Sequence, residues 1–330
     1  AARLAPWLAR TLGAAVTVTG LARLGGGAIQ ENWALDVEVD GVPRAWVLRT
    51  DAASGVAMSW GKVEEYRILQ TVHAAGVTVP APVALCPDPG VLGRPFHVMT
   101  RHPGEARARV LVRDPAIERW GPPLARRLAA ELARLHTLVA PLDGLGFLPL
   151  PDAPARYRVA EYRGHLAAMA VTNPVLDLAL DVLAERAPAT PRRTLVHADF
   201  RLGNVLVDDG ELSAVLDWEF AGYGDPLEDL GWLMGRYWRF GRWRLEAGGL
   251  ASKAAFVEAY EAAAATTVAP DALVYWQLMG TVRWAVIALQ QAARHYLAGE
   301  ASLELALTGA VLPQLEWDVL DLIEALDGDR

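Results

Sequence analysis

Apolar and polar residues alternate with period two over 16–24 and again over 32–39, where Trp33, Leu35, Val37 and Val39 share one side. Asp40-Gly41 follows, a pair suited to a tight hairpin turn, and 44–49 reads as the next strand. The opening therefore predicts strand, glycine loop, strand, turn, strand, preceded by a short amphipathic helix over 3–13 that ends at Gly13. A helical pattern runs over 62–75 and stops at Gly76. Prolines 80, 82, 87 and 89 read as a stiff connector, 96–99 as a short buried strand, and Pro103-Gly104 as the break after it.

Beyond that break the period becomes helical. Helices are expected over 122–138, once or twice within 154–188, and over 227–240, 253–265, 271–297 and 312–326. Two short apolar strands, 205–207 and 214–216, interrupt them, joined by an Asp208-Asp209-Gly210 turn. The pattern predicts an α+β chain: a smaller β-rich lobe over 1–102 and a larger, mainly helical lobe over 103–330. Internal repeats are absent from the pattern.

Composition narrows the choice. With 53% hydrophobic and 21% charged residues, the 330-residue chain can bury a large core. A net charge of -8 does not favour nucleic acid as a partner. Cys86 is the only cysteine, so neither an internal disulfide nor a cysteine zinc site can form, which fits a reducing, cytoplasmic setting. No membrane span is expected, because the apolar stretch 282–289 is short and carries Arg283. The N-terminus has no secretory-signal pattern, although a trimmed targeting segment stays open. Oligomeric state is not legible.

The candidate chemistry clusters around the short hairpin. His197-Ala198-Asp199-Phe200-Arg201-Leu202-Gly203-Asn204 precedes it and Leu216-Asp217-Trp218-Glu219 follows it. A hairpin brings its two ends together, so Asp199, Asn204 and Asp217 can converge. One carboxylate can orient a hydroxyl and accept its proton, while an amide and a second carboxylate are hard oxygen ligands suited to magnesium. Each residue taken singly could equally cap a turn.

The HADFRLGN string followed by LDWE resembles the aminoglycoside phosphotransferase-like (choline-kinase-like) family, distant relatives of the protein kinases. The likeness is closest to the branch of kinase-like domains found beside some acyl-CoA dehydrogenases, and it runs from the glycine loop at 25–33 to the last helices. It implies a protein-kinase-like two-lobed fold and an ATP- and Mg2+-dependent phosphotransferase acting on a small-molecule hydroxyl. By the same resemblance Asp199 is the catalytic carboxylate, Asn204 and Asp217 are metal ligands, and His197 is a structural histidine. Gly25, Gly26, Gly27 and Ala28 form the phosphate-covering loop; no GK[ST] follows, so it is not a P-loop. Arg49 stands where the wider superfamily places a phosphate-binding Lys, and Glu65, not its neighbour Glu64, is its expected partner. Met99, Thr100 and His102 resemble the connector that meets the nucleotide base, through backbone groups that do not separate ATP from GTP. Glu219 stays open between the metal-site loop and a solvated turn. Asp225 and Asp229 read as loop and helix-start anchors.

The acceptor is less legible. Trp232, Tyr237, Trp238, Trp243, Tyr275, Trp276 and Trp284 suggest an apolar acceptor wall, or ordinary core. Arg236, Arg239, Arg242, Arg244 and Arg283 suggest an anionic acceptor, or a solvated basic face. An aminoglycoside acceptor, and a nucleotide-binding protein with little turnover, stand as the alternatives. A protein substrate is disfavoured, since HAD and DWE replace the protein-kinase HRD and DFG triplets.

Overall fold

The computed structural model describes residues 3–25, 30–51, 59–190, 192–297, 299–300 and 302–328. In chain order the elements are α1 (Leu4–Leu12), β1 (Val16–Arg23), β2 (Gln30–Val39), β3 (Val42–Asp51), α2 (Lys62–Ala74), β4 (Pro82–Cys86), β5 (Phe96–Thr100), α3 (Ala108–Leu111) and α4 (Ile117–Leu135). Then come α5 (Pro154–Ala168), α6 (Pro174–Glu185), β6 (Thr194–Val196), β7 (Val205–Asp208), β8 (Glu211–Val215), β9 (Gly222–Gly224) and α7 (Leu227–Leu233). The last are α8 (Lys253–Ala264), α9 (Pro270–Tyr296), α10 (Leu303–Gly309) and α11 (Leu312–Asp327). They group into two compact units, one of residues 1–107, 141–147 and 203–221, the other of 108–140, 148–202 and 222–330.

The first unit is built on an antiparallel sheet in the order β1-β2-β3-β5-β4. Asp40 and Gly41 have φ of 49° and 77°, the doubly left-handed turn that matches strand twist and sets the β2–β3 register. Leu4 and Leu8 of α1 pack with Leu35, Val37, Trp46, Leu48, Phe96 and Val98. On α2, Ile68, Leu69 and Val72 are buried. The proline-rich stretch holds a strand that its composition conceals: β4 lies at the sheet edge and begins at Pro82, where a missing N–H costs little. The β7–β8 hairpin joins this unit, not the one that the division at residue 102 expects. Its packing explains why: Val215 N–H donates to Thr78 O at 2.8 Å, and Glu105 and Val207 exchange backbone hydrogen bonds at 2.9 and 3.0 Å. A side chain at Gly104 would press into the Val207 backbone.

The second unit is helical around α9, against which α7, α10 and α11 pack. Its core takes Val159 and Tyr162 from α5, Leu176, Leu180 and Leu183 from α6, and Tyr275, Trp276, Met279 and Val282 from α9. α9 has the length and composition of a bilayer crossing, but 72% of its apolar window is buried inside the protein. α6 starts at Pro174 with Asn173 Oδ1 accepting from Val175 and Leu176 N–H at 3.1 Å each. Two expectations shift. α4 begins a turn before Pro122, because Ile117 and Trp120 are buried. The helix expected over 227–240 ends at Leu233; Gly235 takes an extended conformation, and a single 3-10 turn over Arg236–Trp238 follows. A β6–β9 pair and α10 lie outside the expected pattern.

Candidate active site

β3 carries Arg49 into the first unit with only 5% of its surface exposed. Its Nε meets Glu65 Oε1 at 2.7 Å and a terminal nitrogen pairs with Asp217. The partner is thus Glu65 rather than Glu64. Glu65 also pairs with Lys62, one turn earlier on α2, whose ammonium is fully buried and lies 3.5 Å from Asp51. Burial works against ionising Glu65, but Arg49 and Lys62 outweigh it and hold its pKa below the usual range. Burial likewise opposes the charge on Arg49, and Asp217, Glu65 and Glu219 reverse that and raise its pKa. His97, opposite Arg49 on β5, is driven down to about 4 by burial, with the two cations adding to the effect, so it stays neutral.

Asn204 and Asp217 sit at the open end of the β7–β8 hairpin. Val205 pairs with Val215, and Leu216 N–H donates to Asn204 O at 2.8 Å, which brings Asn204 beside the residue preceding Asp217. Asn204 is buried; the Asp217 side chain keeps 32% exposure. Asp217 has φ 68°, a left-handed conformation that Asp tolerates better than most residues. The turn after it, Trp218–Phe220, is tied to Trp60: Trp60 N–H donates to Glu219 O at 2.8 Å, and its indole N–H to Ala221 O at 2.7 Å. Glu219 is buried, not a solvated turn carboxylate.

Among the described residues no cluster of three His, Cys, Asp or Glu side chains could cage a metal. Magnesium needs no such cage. It keeps waters and takes one or two protein oxygens plus phosphate oxygens, which the Asn204 and Asp217 donor set fits.

The second unit carries Asp199 on a tight turn after β6. Ala198 has φ 60°, and Asp229 holds that turn: its Oδ2 accepts from His197 N–H at 2.8 Å and its Oδ1 from Ala198 N–H at 2.7 Å. Burial pushes the Asp229 carboxyl up, but these donors and His136, at 3.2 Å, bring it below the usual range. Asp199 N–H donates to His197 Nδ1 at 3.2 Å, so His197 braces the loop. Asp199 Oδ1 accepts from Trp232 Nε1 at 2.8 Å and Arg201 Nε at 3.1 Å. Asp225 accepts from Leu227 N–H at 2.9 Å and Thr190 Oγ1 at 2.7 Å at the start of α7.

The aromatic series divides by position. Trp232, Tyr237, Trp238 and Trp284 form one cluster of edge-to-face and tilted rings near Asp199, Tyr275 and Trp276 belong to the core, and Trp243 is exposed. The arginines are mostly committed: Arg236 to Asp318 and Asp321, Arg242 to Glu118, Arg239 to two backbone carbonyls, and Arg283 to Ala198 O. A basic face awaiting an anion is therefore weakened, with Arg244 left exposed.

Of the connector residues, Met99 is buried on β5, and Thr100 N–H donates to Ala81 O at 2.9 Å. His102 follows the strand, partly exposed. In the glycine loop Gly25 is exposed, while Gly26, Gly27 and Ala28 lie outside the described residues. Sequence reasoning passed over Lys62, Trp60 and Asp229's double acceptor role. Lys62 had one visible signal, its placement one helical turn before Glu65.

The profile of the Phosphotransferase enzyme family (APH) matches residues 20–273. The chain belongs to this family. Homoserine kinase of Methylocella silvestris is 30% identical over 240 residues, covering 66% of this chain and 68% of that relative. Acyl-CoA dehydrogenase family member 10 of Mus musculus is 32% identical over 199 residues, 57% of this chain but only 18% of the mouse protein. This phosphotransferase thus spans a small part of that longer relative. Among solved structures, a Ralstonia eutropha protein classed with the aminoglycoside phosphotransferases superposes with a TM-score of 0.79 at 21% identity, covering 98% of both chains. The fold is the α+β, kinase-like fold of this family.

Proposed function

We propose that the protein transfers the terminal phosphoryl group of Mg-ATP to a hydroxyl of a small molecule. The observation that carries this reading is the buried ion cluster in which Arg49 bridges Glu65 and Asp217, with Asn204 at the same open end of the hairpin, on its other strand. A buried cation held by one carboxylate from a helix and another from a hairpin end has the makings of a phosphate anchor beside a metal ligand. Asn204 and Asp217 hold the metal. When bound, magnesium supplies charge neutralisation on the phosphate oxygens.

Arg49 turns its guanidinium from Asp217 toward the phosphates while Glu65 keeps it in place. The glycine loop from Gly25 to Ala28 covers the phosphates with backbone N–H groups. Thr100 and His102 meet the base through backbone, and Met99 lines its pocket. Asp199 orients the acceptor hydroxyl and takes its proton as the oxygen attacks phosphorus; the bond from phosphorus to the bridging oxygen of ADP breaks.

ADP release is the assay, with phosphate gain by mass spectrometry as the check. The acceptor panel joins the two kinds of hydroxyl compound named in the relatives, homoserine and an aminoglycoside, with a simple alcohol that carries an apolar portion. The aromatic cluster near Asp199 favours an acceptor with an apolar portion over a polycation. Best turnover with kanamycin would overturn that preference and leave the kinase reading intact. Binding of Mg-ATP with no acceptor-dependent ADP release across the panel would support a nucleotide-binding protein with little turnover.

A further inference from the structure

We propose that Trp232 is a positioning residue for Asp199, its indole N–H fixing the carboxylate that receives the acceptor's proton. The inference rests on the assignment of Asp199 as the catalytic carboxylate. Trp232 is 2% exposed on α7, and its Nε1 donates to Asp199 Oδ1 at 2.8 Å. A carboxylate turns easily about its terminal torsion, where the energy wells are broad. Arg201 Nε reaches the same oxygen at 3.1 Å, so two donors converge on one atom and restrain that rotation.

The donors are themselves held by stacking. The Arg283 guanidinium lies 4.7 Å from the Trp232 ring centre and also donates to Ala198 O, the carbonyl just before Asp199. One cation therefore braces both the ring that orients Asp199 and the backbone that carries it. Arg201 lies 4.6 Å over Trp238, and the Trp232 and Trp238 rings meet at 5.4 Å, edge to face. Tyr237 and Trp284 close the cluster around Trp232 at 5.7 and 6.3 Å. If Trp232 served only as core, any aromatic ring would suffice. Its polar edge, aimed at the one carboxylate on the loop, goes beyond that role.

Trp232→Phe separates the two roles, because it keeps the ring and removes the N–H. Mg-ATP turnover is measured with water and with homoserine as acceptors, in Trp232→Phe, Asp199→Asn and the double variant. Trp232→Phe is expected to lower kcat about 10- to 100-fold, the effect of one hydrogen bond to a charged group, and to leave the KM for Mg-ATP within about twofold. In the Asp199→Asn background it should cost nothing further. A kcat within twofold of wild type, or the same loss in both backgrounds, overturns the proposal. Wild-type turnover by Asp199→Asn overturns instead the catalytic assignment beneath it. Independently of turnover, the Trp232 indole N–H is assigned by NMR from the signal missing in Trp232→Phe. Its protection from solvent exchange should fall in an Asp199→Ala variant; undiminished protection removes the contact on which the proposal stands.

Discussion

Replacing Glu65 by Gln tests the ion cluster at its centre. Glu65 is 4% exposed and faces two buried cations, Arg49 at 2.7 Å and Lys62. The amide keeps the shape but removes the charge shared by both, leaving Arg49 to Asp217 and Lys62 to the half-exposed Asp51. Breaking one buried pair costs about 3–5 kcal/mol. Because each cation retains a second carboxylate, a loss near the lower end, about 3 kcal/mol, is expected at pH 7. The pH dependence has a definite sign. The folded pKa of Glu65 lies below its unfolded value, so its contribution is fully present above about pH 4.3 and is lost as pH falls from there through the folded value. Urea unfolding of wild type, Glu65→Gln and Glu64→Gln at pH 7, 5 and 4 is the assay. The Glu65 variant should trail at pH 7 and 5, and the gap should begin to narrow at pH 4. Equal stabilities of all three proteins at pH 7, within about 0.5 kcal/mol, would refute the reasoning.

Asp217→Asn is expected to weaken Mg-ATP binding at least about tenfold while leaving the magnesium-free part little changed, read by calorimetry with and without magnesium. Asp229→Asn replaces one of two accepting oxygens with a donor facing the N–H groups of the His197-Ala198 turn, and should cost about 2–4 kcal/mol in chemical denaturation together with most of the turnover. His97, driven to about 4 when folded, takes up a proton more readily in the unfolded chain, so stability should rise with pH between about 4 and 6.5, by at most about 3 kcal/mol. The variant His97→Phe should flatten that slope in a pH series of unfolding curves.

What the sequence discloses depends on the range of the interaction. The Asp40-Gly41 hairpin, the helix stop at Gly13 and the hairpin carrying Asn204 and Asp217 are local, and turn chemistry and periodicity write them directly into the chain. Arg49 and Glu65 were readable through the family resemblance, which placed them on the third strand and the helix after it. β4 was hidden, because Pro82 and the prolines flanking the strand imitate a linker, and only the strand beside it shows that the edge tolerates Pro82. Trp60, Asp229 and Trp232 act on residues remote along the chain, which no window of periodicity contains. The acceptor side suffers most: one run of tryptophans and arginines supplied core, surface and cluster alike, and only packing sorts them.

The discontinuity of the first unit bears on how the chain is made. Residues 203–221 supply Val215 to Thr78 and Val207 to Glu105, so the segment that ends at Arg107 is not a finished body when it emerges. During synthesis its sheet can assemble, yet Thr78 O and the Glu105 backbone wait for a hairpin made roughly a hundred residues later, after α4, α5 and α6 have formed. Maturation of the Arg49 cluster is correspondingly late, since Asp217 arrives with that hairpin. A ribosome stalled before residue 221 would therefore display a nascent chain with a formed sheet and an arginine still lacking one of its two carboxylates, a natural target for a chaperone rather than a foldable fragment.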